Sequence, residues 1–144
     1  MIASAGQFIV DTSALVAVVS REKDYGILAD ALVAGTIWLP APVLVEFRLV
    51  TASTGSSPNP AAAAALLAKL ITDGARIYDF DQASADAASF ATARYGKGNG
   101  LGGLLNILDL MVYGVAKASG LPILCTGKDF ASTDAMLHPA SRGW

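Results

Sequence analysis

The sequence predicts a single three-layer α/β domain spanning residues 1–144, with a central parallel sheet and helices on both faces. Three observations lead there. Short apolar runs alternate with helical segments along the whole chain, no repeat or linker divides it, and 144 residues suffice for one buried core.

The first element is the apolar run Phe8-Ile9-Val10, which ends abruptly at Asp11-Thr12-Ser13 and leads into a helix over Ala14 to Ser20. Asp24 is placed to cap a second helix carrying Ile27, Leu28, Ala31 and Leu32, and Gly35 to stop it. Ile37-Trp38-Leu39 reads as the next strand. Pro40 and Pro42 fit a turn into a helix that carries Val43, Glu46, Phe47 and Val50. Gly55 to Pro60 is a loop, and the alanine-rich stretch after it is a helix ended by Gly74. Arg76 to Phe80 alternates like a strand and precedes a helix over Gln82 to Tyr95. A glycine-rich loop from Gly96 to Gly103, a helix from Leu104 to Ser119 and a strand at Pro122 to Cys125 complete the pattern.

Apolar residues make up 53% of the chain and mean hydropathy is +0.50, which excludes a disordered chain. The best candidate for a membrane span, Leu104 to Ala116, is broken by Asn106 and Asp109, so none is expected. The apolar surplus points instead to a protein–protein interface. Met1 to Gln7 lacks the basic-then-apolar order of a secretory signal, and a cytoplasmic location is the expectation. Cys125 reads as a small buried hydrophobe and His138 as a surface residue; one histidine rules out a mechanism that needs a pair. A net charge of −2 provides no basic field for nucleic acid. Ten of the twelve acids are aspartates, short hard-oxygen ligands suited to magnesium or manganese.

Four acids stand out. Asp11 lies at the carboxyl end of the first strand, where ligands collect in parallel α/β sheets, and Asp129 follows the last strand. Asp109 and Asn106 are three apart on one helix face that is otherwise apolar, and Glu46 sits among Val43, Phe47 and Val50. A carboxylate on such a face needs a cation or hydrogen bonds to offset its desolvation. Carboxylates gathered about 4 Å apart repel by roughly 4 kcal/mol at an effective dielectric near 20, and a divalent ion removes that repulsion. Mg²⁺ or Mn²⁺ held there could activate water against a phosphodiester. Each acid also has a structural alternative: Asp11 as a helix cap, Glu46 paired with Arg48, Asp109 satisfied locally, Asp129 capping a turn before Phe130. Charge alone leaves nuclease, phosphatase and passive metal binding open.

With those residues in view, the sequence resembles the PIN-domain ribonucleases, and within them the VapC-type toxins of toxin–antitoxin pairs. The family's opening pattern is matched by Ile9-Val10-Asp11-Thr12-Ser13-Ala14-Leu15, its helical glutamate by Pro42-Val43-Leu44-Val45-Glu46, and its Asn-x-x-Asp helix by Asn106 to Asp109 after Tyr95-Gly96-Lys97-Gly98. Thr126-Gly127-Lys128-Asp129-Phe130 through Thr133-Asp134 matches the last pattern. Two departures are Ile107-Leu108 between the polar positions, where Phe-Gly is common, and Lys128, where many members have Asn or Asp. Lys128 could contact RNA or cover a metal.

The resemblance implies a Mg²⁺- or Mn²⁺-dependent endoribonuclease with Asp11, Glu46, Asp109 and Asp129 as catalytic metal ligands. Thr12, Asn106 and Thr126 would support the site, and Arg21, Arg94, Lys97 and Lys128 are candidate RNA contacts. It further implies a homodimer inhibited by a cognate VapB-like antitoxin. An inactive PIN-fold binding module, or a PIN nuclease of RNA processing outside a toxin–antitoxin system, is the alternative. Other classes fit poorly. Gly98 to Gly103 satisfies G-x-G-x-x-G but follows a helix, and Gly127-Lys128 lacks the rest of a P-loop. A receiver domain wants an acid pair after the first strand, and a haloacid-dehalogenase-type phosphatase wants an aspartate where Ser13 stands.

Overall fold

A computed structural model describes residues 6–52 and 60–143. Strands β1 (Gln7–Val10), β2 (Thr36–Pro40), β3 (Arg76–Tyr78) and β4 (Ile123–Leu124) form one parallel sheet in the order β3-β2-β1-β4. β1 lies between two neighbours, with Ile9 paired to both Trp38 and Ile123, so Phe8, Ile9 and Val10 are all buried. An unbroken apolar run is what a strand covered on both faces requires.

Among the described residues six α-helices surround the sheet: α1 (Thr12–Val19), α2 (Tyr25–Ala34), α3 (Ala41–Ala52), α4 (Pro60–Thr72), α5 (Gln82–Tyr95) and α6 (Ile107–Ser119). The crossovers β1→β2 and β2→β3 step one way along the sheet, and β3→β4 steps back past β1. Right-handed connections therefore place α1–α4 on one face and α5–α6 on the other. Packing within the layers agrees: α1 meets α2 and α3, α3 meets α4, and α5 lies along α6, while α3 and α6 also touch each other. Gly114 permits the α5–α6 contact, because a Cβ there would stand 2.2 Å from the Ser84 carbonyl oxygen and 3.0 Å from Ala88 Cβ.

The structure corrects several local expectations. Strand β2 runs straight into α3 with no turn at Pro40, and Pro42 sits inside the first helical turn, where its missing N–H costs nothing. Asp24 precedes α2 in a left-handed conformation, φ 64°, and its side chain caps nothing. Helix α6 starts at Ile107, not Leu104, because Asn106 caps it and the preceding residues belong to the glycine-rich loop. His138 is half-buried, its ring 4.5 Å from that of Phe8, and desolvation lowers its pKa. Cys125 is buried, as expected, and burial pushes its thiol up to about 12. The Gly55–Pro60 loop lies, but for Pro60, outside the described residues, as do Met1 to Ala5 of the N-terminal stretch. Among the described residues no helix is long and apolar enough to cross a membrane.

Beyond β4 the chain turns back and lies beside it. Leu137 bridges Ile123, Arg142 bridges Thr126, and Ser141 Oγ donates to the Ile123 carbonyl while accepting from the Cys125 amide. This segment fixes the stretch that leads to Asp129.

Candidate active site

The strand order reverses between β1 and β4, and that switch point is where an open parallel sheet leaves a crevice beyond its carboxyl ends. A pocket of about 280 Å³ lies there, and Asp11, Glu46, Asp109 and Asp129 all line it. A larger cavity of about 380 Å³ sits by the starts of β2 and β3, lined largely by apolar residues such as Leu32, Ile37 and Leu70. Of these two the second is larger, but the first is the one that gathers a cluster of acids.

Asp11 follows β1 directly and is the N-cap of α1. One oxygen, Oδ2, accepts from the Ser13 amide at 3.1 Å and from Ser13 Oγ at 2.6 Å. The other oxygen, Oδ1, is buried with no partner among the described residues, and Asp11 as a whole is 5% exposed. Leaving such an oxygen unsatisfied costs on the order of 1–3 kcal/mol. Desolvation is the main reason the Asp11 carboxyl is raised to about 6, with the Glu46 charge adding to it against the Ser13 hydrogen bonds. Thr12 Oγ1 is likewise buried and unpartnered.

Asp109 comes from the first turn of α6. Its Oδ2 accepts from the Asn106 amide at 3.1 Å, and Asn106 Oδ1 accepts from the Asp109 amide at 2.9 Å, a reciprocal capping box. Asn106 is therefore the cap that orients Asp109, rather than a neighbour on one helix face. Burial raises the Asp109 carboxyl to about 7, opposed by the Asn106 bond and reinforced by the charges of Asp11, Asp129 and Glu46. The four acids thus share one electrostatic environment.

The structural alternatives for the other two acids do not hold. Among the described residues Glu46 makes no ion pair, with Arg48 or otherwise, and half-buried on α3 it faces the pocket. Asp129 precedes the short 3₁₀ turn Phe130–Ser132 but its side chain caps nothing. Thr126 also lines the pocket, and its amide donates to Ser13 Oγ at 3.0 Å, tying β4 to the start of α1. Arg21, Lys97 and Lys128 line neither this pocket nor pair with its acids, and Arg94 lines a neighbouring cleft.

Two polar residues of the pocket were not singled out from the sequence. Ser13 holds Asp11 and Thr126 together, and its signal was available: the second residue after a helix cap is the one whose amide returns to the cap side chain. Glu22 lines the pocket as a fifth acid. It arrives there through a reversal at Arg21, φ 53°, where the Glu22 amide donates to the Ala17 carbonyl. An arginine in the left-handed region gives no sequence signal for that turn.

A divalent cation suits these donors. They are hard oxygens, the Asp11 Oδ1 atom lacks any other partner, and the mutual repulsion of the acids is what a cation relieves. Among the described residues no three Asp, Glu, His or Cys side chains stand close enough to enclose an ion by themselves. Magnesium commonly takes one or two carboxylates and keeps waters in its remaining positions, so a site of this openness fits it.

The comparisons with known proteins agree with this geometry. The PIN domain family profile matches residues 8–136. Ribonuclease VapC30 of Mycobacterium tuberculosis is 37% identical over 127 residues, 88% of this chain and 94% of that protein. Ribonuclease VapC42 of the same species is 34% identical over 134 residues, 92% and 98% of the two chains. Among solved structures, the sarcin-ricin loop cleaving toxin VapC20 of M. tuberculosis superposes with a TM-score of 0.69 at 16% identity, covering 90% of this chain and 96% of that one. VapBC2 of Rickettsia felis, bound to a promoter DNA fragment, gives 0.69 at 16% identity, covering 96% and 98%. Sequence and fold together make this chain a member of the PIN-domain family, within its VapC ribonucleases.

Proposed function

We propose that this chain is a Mg²⁺- or Mn²⁺-dependent endoribonuclease, the toxin of a toxin–antitoxin pair, that hydrolyses RNA phosphodiesters in the pocket of Asp11, Glu46, Asp109 and Asp129. The observation that carries the proposal is the buried, partnerless Oδ1 of Asp11 in a pocket lined also by Glu46, Asp109 and Asp129, with Asp109 feeling the charges of the other three acids. When bound, the divalent ion supplies Lewis acidity toward a phosphodiester oxygen and toward the attacking water.

The protein's own residues do the rest. Ser13 occupies Oδ2 of Asp11, so Oδ1 is the oxygen that would be left to hold an ion. Asn106 fixes the Asp109 carboxylate from behind by its backbone amide. Glu46 and Asp129 come from α3 and from the segment after β4, so oxygen donors from separate elements line one pocket and would hold an ion there together with water. Asp129, exposed at the pocket, is suited to orient water. No histidine is needed.

The identity to VapC ribonucleases supports RNA as substrate and a VapB-like antitoxin as partner, with a homodimer as the working assembly and the cytoplasm as its location. Solved neighbours include a VapBC member from M. tuberculosis and a toxin–antitoxin complex from Klebsiella pneumoniae. The test is manganese-dependent cleavage of RNA by the wild type and by Asp109→Asn. A fall on the order of 100-fold or more is expected. Equal rates would contradict the catalytic assignment of Asp109.

A further inference from the structure

We propose that the cleft beside the acidic pocket, between the glycine-rich loop and residues 132–134, is a subsite for a nucleotide of the RNA strand flanking the cleaved phosphodiester. The proposal rests on the nuclease reading above. The cleft has a volume of about 460 Å³, with Arg94 and Tyr95 at the end of α5 and walls formed by Leu101–Gly103 and by Ser132–Asp134.

Its position follows from the chain itself. The 3₁₀ turn runs from Asp129 in the acidic pocket to Ser132 in the cleft, three residues or about 6 Å at the usual 3₁₀ rise. That is the length of a single nucleotide step. On the other wall the glycine-rich loop feeds through Leu105 into the Asn106–Asp109 capping box.

The loop is built, not slack. Asn99 Nδ2 donates to the Ala93 carbonyl at 3.0 Å, and Asn99 Oδ1 accepts from the amides of Leu101 at 2.8 Å and Gly103 at 3.1 Å. Lys97 and Leu105 close its base through backbone hydrogen bonds to Leu105 and Tyr95. Only glycine allows so close a seat on α5, since a Cβ at Gly103 would come within 2.3 Å of the Gly96 carbonyl oxygen.

The donors suit a phosphate. The Arg94 guanidinium lies 5.2 Å from the Tyr95 ring centroid and forms no ion pair among the described residues. The Gly102 amide, at φ 80°, makes no hydrogen bond among them. Asp134, the one acid at the cleft, is already engaged: Tyr113 Oη donates to Oδ1, and Lys117 lies 3.3 Å from Oδ2. A guanidinium stacked on Tyr95 without an ion pair, its charge also felt by Asp134, and an unpaired amide beside an open glycine backbone fit a nucleotide, with phosphate on the donors and base and sugar over the loop.

The experiment uses the full chain, isotope-labelled and kept in a chelator so that nothing is cleaved. Uridine 5′-monophosphate and, separately, inorganic phosphate are titrated in while the amides of Leu101, Gly102, Gly103 and Thr133 are followed by NMR. The nucleotide is expected to shift all four and to bind more tightly than phosphate, and Arg94→Ala to raise its Kd at least about five-fold. Asn99→Ala, which unpins the loop, should weaken binding as well. An unchanged Kd in both variants, phosphate binding as tightly as the nucleotide, or shifts confined to residues 11–13 and 109 would each overturn the subsite. No metal or turnover enters this measurement, so its failure leaves the role of the acids standing, and an active Asp109→Asn would leave the subsite standing.

Discussion

Asp11 and Asp81 do the same local job in opposite surroundings. Asp81 caps α5 and accepts from the Ser84 amide and hydroxyl, both at 2.9 Å, while Asp11 caps α1 and accepts from the amide and hydroxyl of Ser13. At Asp81 those bonds hold the carboxyl below its ordinary value. At Asp11 burial outweighs them and the carboxyl is pushed up to about 6. The hydrogen bonds are alike, so what separates a cap from a candidate ligand is the second oxygen: exposed to water at Asp81, enclosed without a partner at Asp11.

The comparison can be broken most directly by making the same change at both places. Asp11→Asn should slow manganese-dependent RNA cleavage on the order of 100-fold or more, whereas Asp81→Asn should leave the initial rate within about two-fold. Similar losses in both would mean that Asp11 is only a cap. Ser13→Ala should come next, with a fall of about ten-fold in rate, because Asp11 loses its positioning hydroxyl and the Thr126 amide its acceptor. The orphaned amide should also cost about 1–2 kcal/mol in a denaturant titration.

A third test reads stability alone. The folded-state carboxyls of Asp11 and Asp109 are raised to about 6 and about 7 from an ordinary 3.8, so between those values the native state holds more protons than the unfolded chain. The contribution of these two carboxyls to the stability of the metal-free protein then falls as pH rises from about 4 to 7 and levels off above, while His138, its pKa lowered by desolvation, acts with the opposite sign below 6.5. Adding Mn²⁺ at pH 8 should restore the Tm, and Asp109→Asn should flatten the pH profile while abolishing the manganese effect. Asp81 works in the other direction: its lowered carboxyl contributes above pH 3.8 and is lost on acidification. Asp81→Ala should lower Tm at pH 7 by about 3 °C, the smallest of these effects.

Much of this arrangement could be read from the residues. Phe8-Ile9-Val10 is apolar throughout because β1 is central and covered on both faces, and its abrupt end at Asp11 marks the carboxyl edge where the site lies. The four acids singled out in the sequence do line one pocket. What could not be read is how local bonds share out the side chains. Leu104 keeps helical spacing with the residues after it, yet the loop fixed by Asn99 claims it and Asn106 becomes a cap. His138, polar and next to a proline, turned inward because Phe8 offers a ring to pack on. Glu22 enters the pocket through a left-handed arginine, a conformation that sequence rules assign to glycine.

The glycine at the crossing of α5 and α6 has a genetic consequence. Any side chain at Gly114 must displace Ser84 or push back α6, the helix whose first turn presents Asp109. On the proposed toxin reading, survivors of unrestrained expression are expected to carry changes at this crossing as well as at the acids. A map of escape alleles would then trace the helix contact and the acidic pocket as one unit, although Gly114 itself lies outside that pocket.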